Sequence, residues 1–141
     1  MSAQIRKVME KRQRGEGGFT LIELLVVVVI IGILAAIAIP AFLRQREKAW
    51  ASQVTSDLKN AATAAESYST DHNGAYTGLP TTVSANGVVA AGGWQDNGFN
   101  GTTGVSIEFA PVASGYTLTG THANVSGTWV YSSETGVITK S

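Results

Sequence analysis

The chain has 141 residues, ten basic and ten acidic side chains and no cysteine, and 44% of it is hydrophobic. Without cysteine, neither a disulfide nor a thiolate-bound metal is available, so packing and strand pairing must hold any domain that forms. Lys59 and Lys140 are the only basic side chains beyond residue 48, which leaves no basic patch for a phosphate backbone, and no nucleic-acid partner is expected.

Residues 1–18 carry Arg6, Lys7, Lys11, Arg12 and Arg14 against Glu10 and Glu16, a basic leader with a local charge of +3. From Leu24 to Leu43 no residue is charged. About 20 apolar residues at 1.5 Å rise make a helix of roughly 30 Å, the thickness of a bilayer's hydrocarbon core, so membrane lipid is the first expected partner. A positive flank stays cytoplasmic, which puts the N-terminus inside and residues 44–141 outside. Arg44, Arg46 and Lys48 oppose that orientation, and Glu47 offsets one of them. An ordinary secretory peptidase would cut after an apolar run, but this one is longer than a usual signal-peptide core and continues into a helical pattern. The cut is expected before the run, so that the anchor remains.

Glu23 stands at the edge of this apolar segment. An ionisable group there costs a few kcal/mol, which marks it as functional by default; the plainer alternative is a carboxylate that snorkels to the interface. Cleavage between Gly18 and Phe19 would leave an ammonium on Phe19, one helical turn from Glu23 on the same face. Within one chain or between adjacent chains, acid and amine would offset much of each other's burial cost.

Gly18, Phe19, Thr20, Leu21, Ile22, Glu23, Leu24 and Leu25, followed by the apolar run through Gly32 to Pro40, resemble the signature of type IV pilins and the related bacterial pseudopilins. The resemblance covers the N-terminal part of the chain, and the remainder matches in outline only. It implies cleavage after Gly18 by a membrane-embedded prepilin peptidase and N-methylation of Phe19. For Glu23 it implies neutralisation of a neighbouring subunit's N-terminus during filament assembly. Many pilins close their C-terminal loop with a disulfide, a pattern from which this chain departs. With the leader removed, five basic and eight acidic side chains remain, a net charge of −3.

Pro40 removes one N–H and crowds the carbonyl of Ala36, so a kink or loosening is expected there, at about 3 kcal/mol in an ordinary helix. Gly32 adds roughly 1 kcal/mol of helix weakness. The resemblance implies melting between these two residues when subunits leave the bilayer and stack; a tolerated kink is the alternative. Gly32 and Ala36 also form a small-residue pair that allows close helix approach. Beyond the span, Trp50, Val54, Leu58, Ala61, Ala65 and Tyr68 recur at spacings of three and four and predict one apolar stripe, with Gln53, Asp57, Asn60 and Ser67 on other faces. The helix is expected to stop between Ser69 and Gly74, where Thr70-Asp71-His72-Asn73-Gly74 supplies turn formers and a cap, giving a rod of roughly 75 Å from Phe19.

Residues 71–104 hold eight glycines and read as a mostly ordered connecting loop with at most a short strand. Trp94 and Phe99 within it either plug the loop onto the sheet, as large aromatics usually do, or contact a ligand or neighbour. In residues 105–141, Val105, Ile107 and Phe109, then Tyr116 and Leu118, then Trp129 and Tyr131 alternate with polar residues. A turn at Ser133-Glu134-Thr135-Gly136 leads to a fourth strand, Val137 to Thr139, in a hairpin with Thr128 to Ser132. The expected fold is α+β: a helix whose outer half, 44–70, packs on a small C-terminal antiparallel sheet, with 19–43 as the membrane-spanning and filament-core half.

His72 and His122 are expected as solvated loop or strand histidines, since neither belongs to a ligand-spaced pair. Asp96, Asn97 and Asn100 fit no calcium loop. Asn100-Gly101-Thr102 and Asn124-Val125-Ser126 match a common glycosylation sequon. No catalytic or metal constellation is present, and no cofactor is expected. The expected function is a structural subunit that polymerises with itself into a surface filament. It is a substrate of prepilin peptidase rather than an enzyme, and depends on assembly machinery of the cytoplasmic membrane because it has no nucleotide-binding motif. A type II secretion or competence pseudopilin is the alternative, and a single-span anchored binding module that never polymerises is the second.

Overall fold

A computed structural model describes residue 18 and residues 20–141. The leader up to residue 17 and the Phe19 side of the expected cleavage point lie outside the described residues. The chain divides into two compact units at Leu43 and Arg44.

The first unit contains the start of helix α1, which runs Leu21–Asp71. Thr20 caps it: the Thr20 carbonyl accepts from Leu24 N–H at 3.2 Å, the first bond of the helix. The helix is continuous through Gly32 and Pro40. Proline costs one donor, and the loss stays local because helical bonding resumes on both sides. Every large apolar side chain from Leu21 to Leu43 is exposed. Among the described residues, α1 is the one helix long and apolar enough to cross a membrane.

The second unit holds the rest of α1 and an antiparallel sheet. Its strands are β1 (Thr82–Ala85), β2 (Val88–Val89), β3 (Val105–Val112), β4 (Gly115–His122), β5 (Val125–Ser132) and β6 (Val137–Lys140), with a one-turn helix, α2 (Gly93–Asp96), between β2 and β3. Their spatial order is β2-β1-β3-β4-β5-β6. The four C-terminal strands form a meander, with Val112 opposite Gly115, His122 opposite Val125 and Ser132 opposite Val137. On β3 and β4 the inward positions are Val105, Ile107, Phe109, Tyr116 and Leu118, all buried, as the period of two requires. They meet Val54, Leu58, Ala61 and Ala65 of α1, each fully buried. Gly120 sets the distance of closest approach: a Cβ there would lie 2.7 Å from Val54 Cγ1. The helix ends where expected. Gly74, at φ +81°, donates its N–H to the Ser69 carbonyl at 2.7 Å, a backbone conformation glycine adopts without steric cost.

Residues 71–104 correct the expectation of a connecting loop with at most a short strand, because they add two strands and a helical turn. The cause is the dipeptide Asn86-Gly87. With φ of +50° and +82° it makes the tight turn that joins antiparallel strands, setting Ala85 opposite Val88. Its first strand then pairs with β3, so the sheet has six strands rather than four. Trp94 and Phe99 plug this segment onto the core, at 0% and 1% exposure. The Trp94 indole N–H donates to the Pro80 carbonyl at 3.0 Å, and its ring meets Phe109 edge-on at 5.4 Å. Burial of each such ring contributes about 2–3 kcal/mol.

Two polar residues also differ from expectation. Asp57 is buried rather than on a free face, because it stands three residues from Val54 and four from Ala61, on the flank of the stripe. His122 is buried rather than solvated, because it extends the inward alternation of Tyr116, Leu118 and Gly120 by one more step. His72 is exposed, its ring stacked on Tyr68 at 3.8 Å.

Candidate functional site

The start of α1 places Glu23 beside Thr20. Thr20 N–H donates to Glu23 Oε2 at 3.3 Å, and Glu23 N–H donates to Thr20 Oγ1 at 3.3 Å. This reciprocal pair is a capping box, in which each side chain satisfies a backbone donor that the first helical turn leaves without a partner. The Thr-x-x-Glu spacing of Thr20-Leu21-Ile22-Glu23 announces it, a role for Glu23 beside the two that its place at the edge of the apolar run predicts, an amine partner and a snorkelling carboxylate. The box holds the carboxylate against the backbone at the helix N-terminus, where the partial positive charge of the helix dipole also favours an anion. Thr20 and Glu23 are exposed, as is Gly18. Gly32 and Pro40 lie further along the same helix, and no heavy atom comes within 4 Å of a Cβ built at Gly32. A partner helix could therefore approach closely along Gly32.

In the second unit the polar groups are arranged as locks. Asp57 accepts from Thr102 N–H at 2.8 Å and from Thr102 Oγ1 at 2.7 Å, so a buried carboxylate pins the end of the β2–β3 connection to α1. Glu66 accepts from the Tyr116 hydroxyl at 3.0 Å and the Tyr76 hydroxyl at 3.1 Å. Burial, and then the hydrogen bond to the Glu66 carboxylate, raise both phenols above their usual value of 10.0. His122 Nδ1 accepts from Asn124 N–H at 3.0 Å, which leaves Nε2 to donate to Gln53 Oε1 at 3.1 Å. Its ring stacks on Trp50 at 5.7 Å. None of these carries a reacting arrangement of nucleophile and base; they join helix to sheet. Among the described residues, no three His, Asp or Glu side chains converge as metal ligands. Asn97 uses its amide to bond the Gly93 carbonyl at 2.7 Å. Sequence missed Asp57, Glu66 and His122 as tertiary bonds, because their partners lie 45, 50 and 69 residues away.

Residues 13–39 match the prokaryotic N-terminal methylation motif. The chain is 42% identical over 64 residues to the type II secretion system core protein G of Pseudomonas aeruginosa, covering 45% of this chain and 44% of that protein. It is 53% identical over 51 residues to the type IV major pilin protein PilA of Myxococcus xanthus, covering 36% of this chain and 23% of that protein. With the type IV wide pilus major component PilA4 of Thermus thermophilus it shares 48% identity over 60 residues, 43% of this chain and 46% of that protein. The matched segment thus spans less than half the length of each of these relatives.

Proposed function

We propose, for a chain whose N-terminal segment is that of the pilin and pseudopilin superfamily, that it is a non-enzymatic structural subunit polymerising through α1 into a type IV pilus. One observation carries the reading: the motif-bearing half of α1 exposes all its large apolar side chains, from Leu21 at 84% to Leu43 at 51%. Such a surface is stable only within lipid or against other apolar helices. A precursor anchored in the cytoplasmic membrane meets the first condition and a filament core of packed helices the second.

The steps are those that the resemblance to the methylation motif implies. Prepilin peptidase cuts between Gly18 and Phe19 and methylates Phe19, which leaves a secondary ammonium at the new N-terminus. Glu23 supplies the compensating charge in a medium where an unpaired ammonium is costly. The capping box supports this role, since it holds the carboxylate beside the backbone that leads to Phe19. Gly32 and Pro40 bound the stretch of weakest helix, which loosens as the subunit moves from bilayer to filament with the help of membrane assembly machinery.

A type II secretion pseudopilin is the second reading, supported by the similarity to core protein G. It shares every step but ends in a shorter fibre. Mass spectrometry of sheared surface material tests the proposal: the expected species begins with methylated Phe19, and long filaments accompany it. An intact Met1, or a cut beyond Pro40, overturns both readings. Correct processing without surface filaments favours the pseudopilin.

A further inference from the structure

Assembly through Glu23 gives no role to Arg44 and Lys48, cations just past the span, where charge of that sign works against the orientation. Arg44, Glu47 and Lys48 of α1, together with Asn124 and Ser126 at the β4–β5 turn and Lys140 of β6, line a groove of about 410 Å³. Ala51 and Val125 add an apolar part to its wall. Three of its four charged side chains are cationic. Lys140 is exposed, and its ammonium lies over the Trp129 ring, 5.1 Å from the centroid. Guanidinium and ammonium groups beside an amide and a hydroxyl are the donor set that suits a phosphate monoanion.

Position selects the source of that phosphate. Arg44 follows Leu43, the last residue of the apolar run, so Arg44 and Lys48 fall within the first two helical turns outside the hydrocarbon. That is the depth of the headgroups, since the interfacial layers extend about 5–8 Å beyond each side of the core. We propose that this groove binds the headgroup phosphate of an anionic phospholipid in the leaflet from which the C-terminal end of the span emerges. The proposal rests on the membrane-anchored precursor described above. A bound phosphate offsets one of the two net positive charges of the groove, charge that would otherwise favour the reverse orientation, and the lipid must be released when the subunit leaves the bilayer.

Native mass spectrometry of the full chain in detergent, with phosphatidylglycerol or phosphatidylcholine added, tests this. The wild-type chain is expected to retain phosphatidylglycerol and to lose phosphatidylcholine at the same lipid concentration. Lys140→Gln is expected to weaken retention about fivefold, with about fivefold more for each of Arg44→Gln and Lys48→Gln, while Lys140→Arg keeps it. Inorganic phosphate at equal concentration is expected not to displace the lipid. Equal retention of the two lipids, undiminished retention by the triple variant, or displacement by inorganic phosphate overturns the proposal. A chain-to-chain crosslink through Lys140 that forms equally well without lipid also overturns it, in favour of a second copy as occupant. Insertion into liposomes is measured in parallel: a chain that fails to insert refutes the membrane reading itself, whereas one that inserts without lipid preference refutes only the headgroup site.

Discussion

Glu23 combines two roles that a single substitution can separate. As the third residue of the helix it bonds the Thr20 N–H, and as an anion it is proposed to balance the ammonium of Phe19. Glutamine satisfies a capping box as well as glutamate does but carries no charge. Glu23→Gln is therefore expected to leave helix content and cleavage unchanged while abolishing surface filaments, and Glu23→Ala to abolish filaments and also fray the first turn. Circular dichroism with a count of sheared filaments distinguishes the two; filaments of normal abundance in Glu23→Gln would remove the charge from the mechanism. Asp57 is the second residue whose surroundings set its role. Asp57→Ala leaves the half-buried Thr102 donors without their acceptor, at about 2 kcal/mol. Melting of the full chain in detergent is expected roughly 10 °C lower. The apolar stripe of α1 was legible from spacing alone, but Asp57 lies on its border, and what covers a border depends on a strand connection 45 residues away.

Between helix and sheet, the Glu66 carboxylate ties α1 to β4 through the Tyr116 phenol and to the connection after the helix through the Tyr76 phenol. Tyr116 and Tyr76 have folded-state values raised above 10.0, so on alkaline titration the unfolded chain loses its phenolic protons first. The folded state then binds more protons than the unfolded one, and stability falls as pH rises past about 10 toward the raised values. Below that pH the contribution is fully present. Thermal melts from pH 8 to pH 11 are expected to show this decline, and Tyr116→Phe to flatten it; an unchanged slope in that variant would assign the decline to other groups. The β1–β2 hairpin teaches a different lesson at the same scale. Glycine abundance in residues 71–104 suggested a loop, yet glycine also permits the positive φ of a tight turn. Asn86-Gly87 between apolar residues is a local hairpin signal that composition obscured. That β1 then joins β3 is not local, since an edge strand accepts whichever strand the connection delivers.

For the molecule as a whole, the two units answer to different solvents. The head from Arg44 onward buries its apolar stripe under the sheet, while the segment before it exposes its large apolar side chains, for which the proposed function supplies cover in lipid and then in other subunits. Passage from one cover to the other is where Gly32 and Pro40 are proposed to act. Replacing both by alanine removes about 1 and about 3 kcal/mol of helix weakness. The double variant is expected to be cleaved and to accumulate in the membrane while sheared filaments decline several-fold. Wild-type filament yield from it would show that loosening of this stretch is not required.

Sequence alone determined the properties that depend on neighbours along the chain: the apolar span, the capped and acid-bearing start of α1, the buried stripe, the turn at Gly74 and the alternation of the last four strands. Each follows from a period of 3.6 or 2, or from a single residue's backbone freedom. Tertiary structure decided which polar side chains went inside and with whom, as in Asp57 with Thr102, His122 with Gln53, and Tyr116 with Glu66. It also decided that Lys140 would join Arg44 and Lys48 across one groove. These pairings bring together residues tens of positions apart, and no local pattern encodes a contact that exists only after the sheet has closed over the helix.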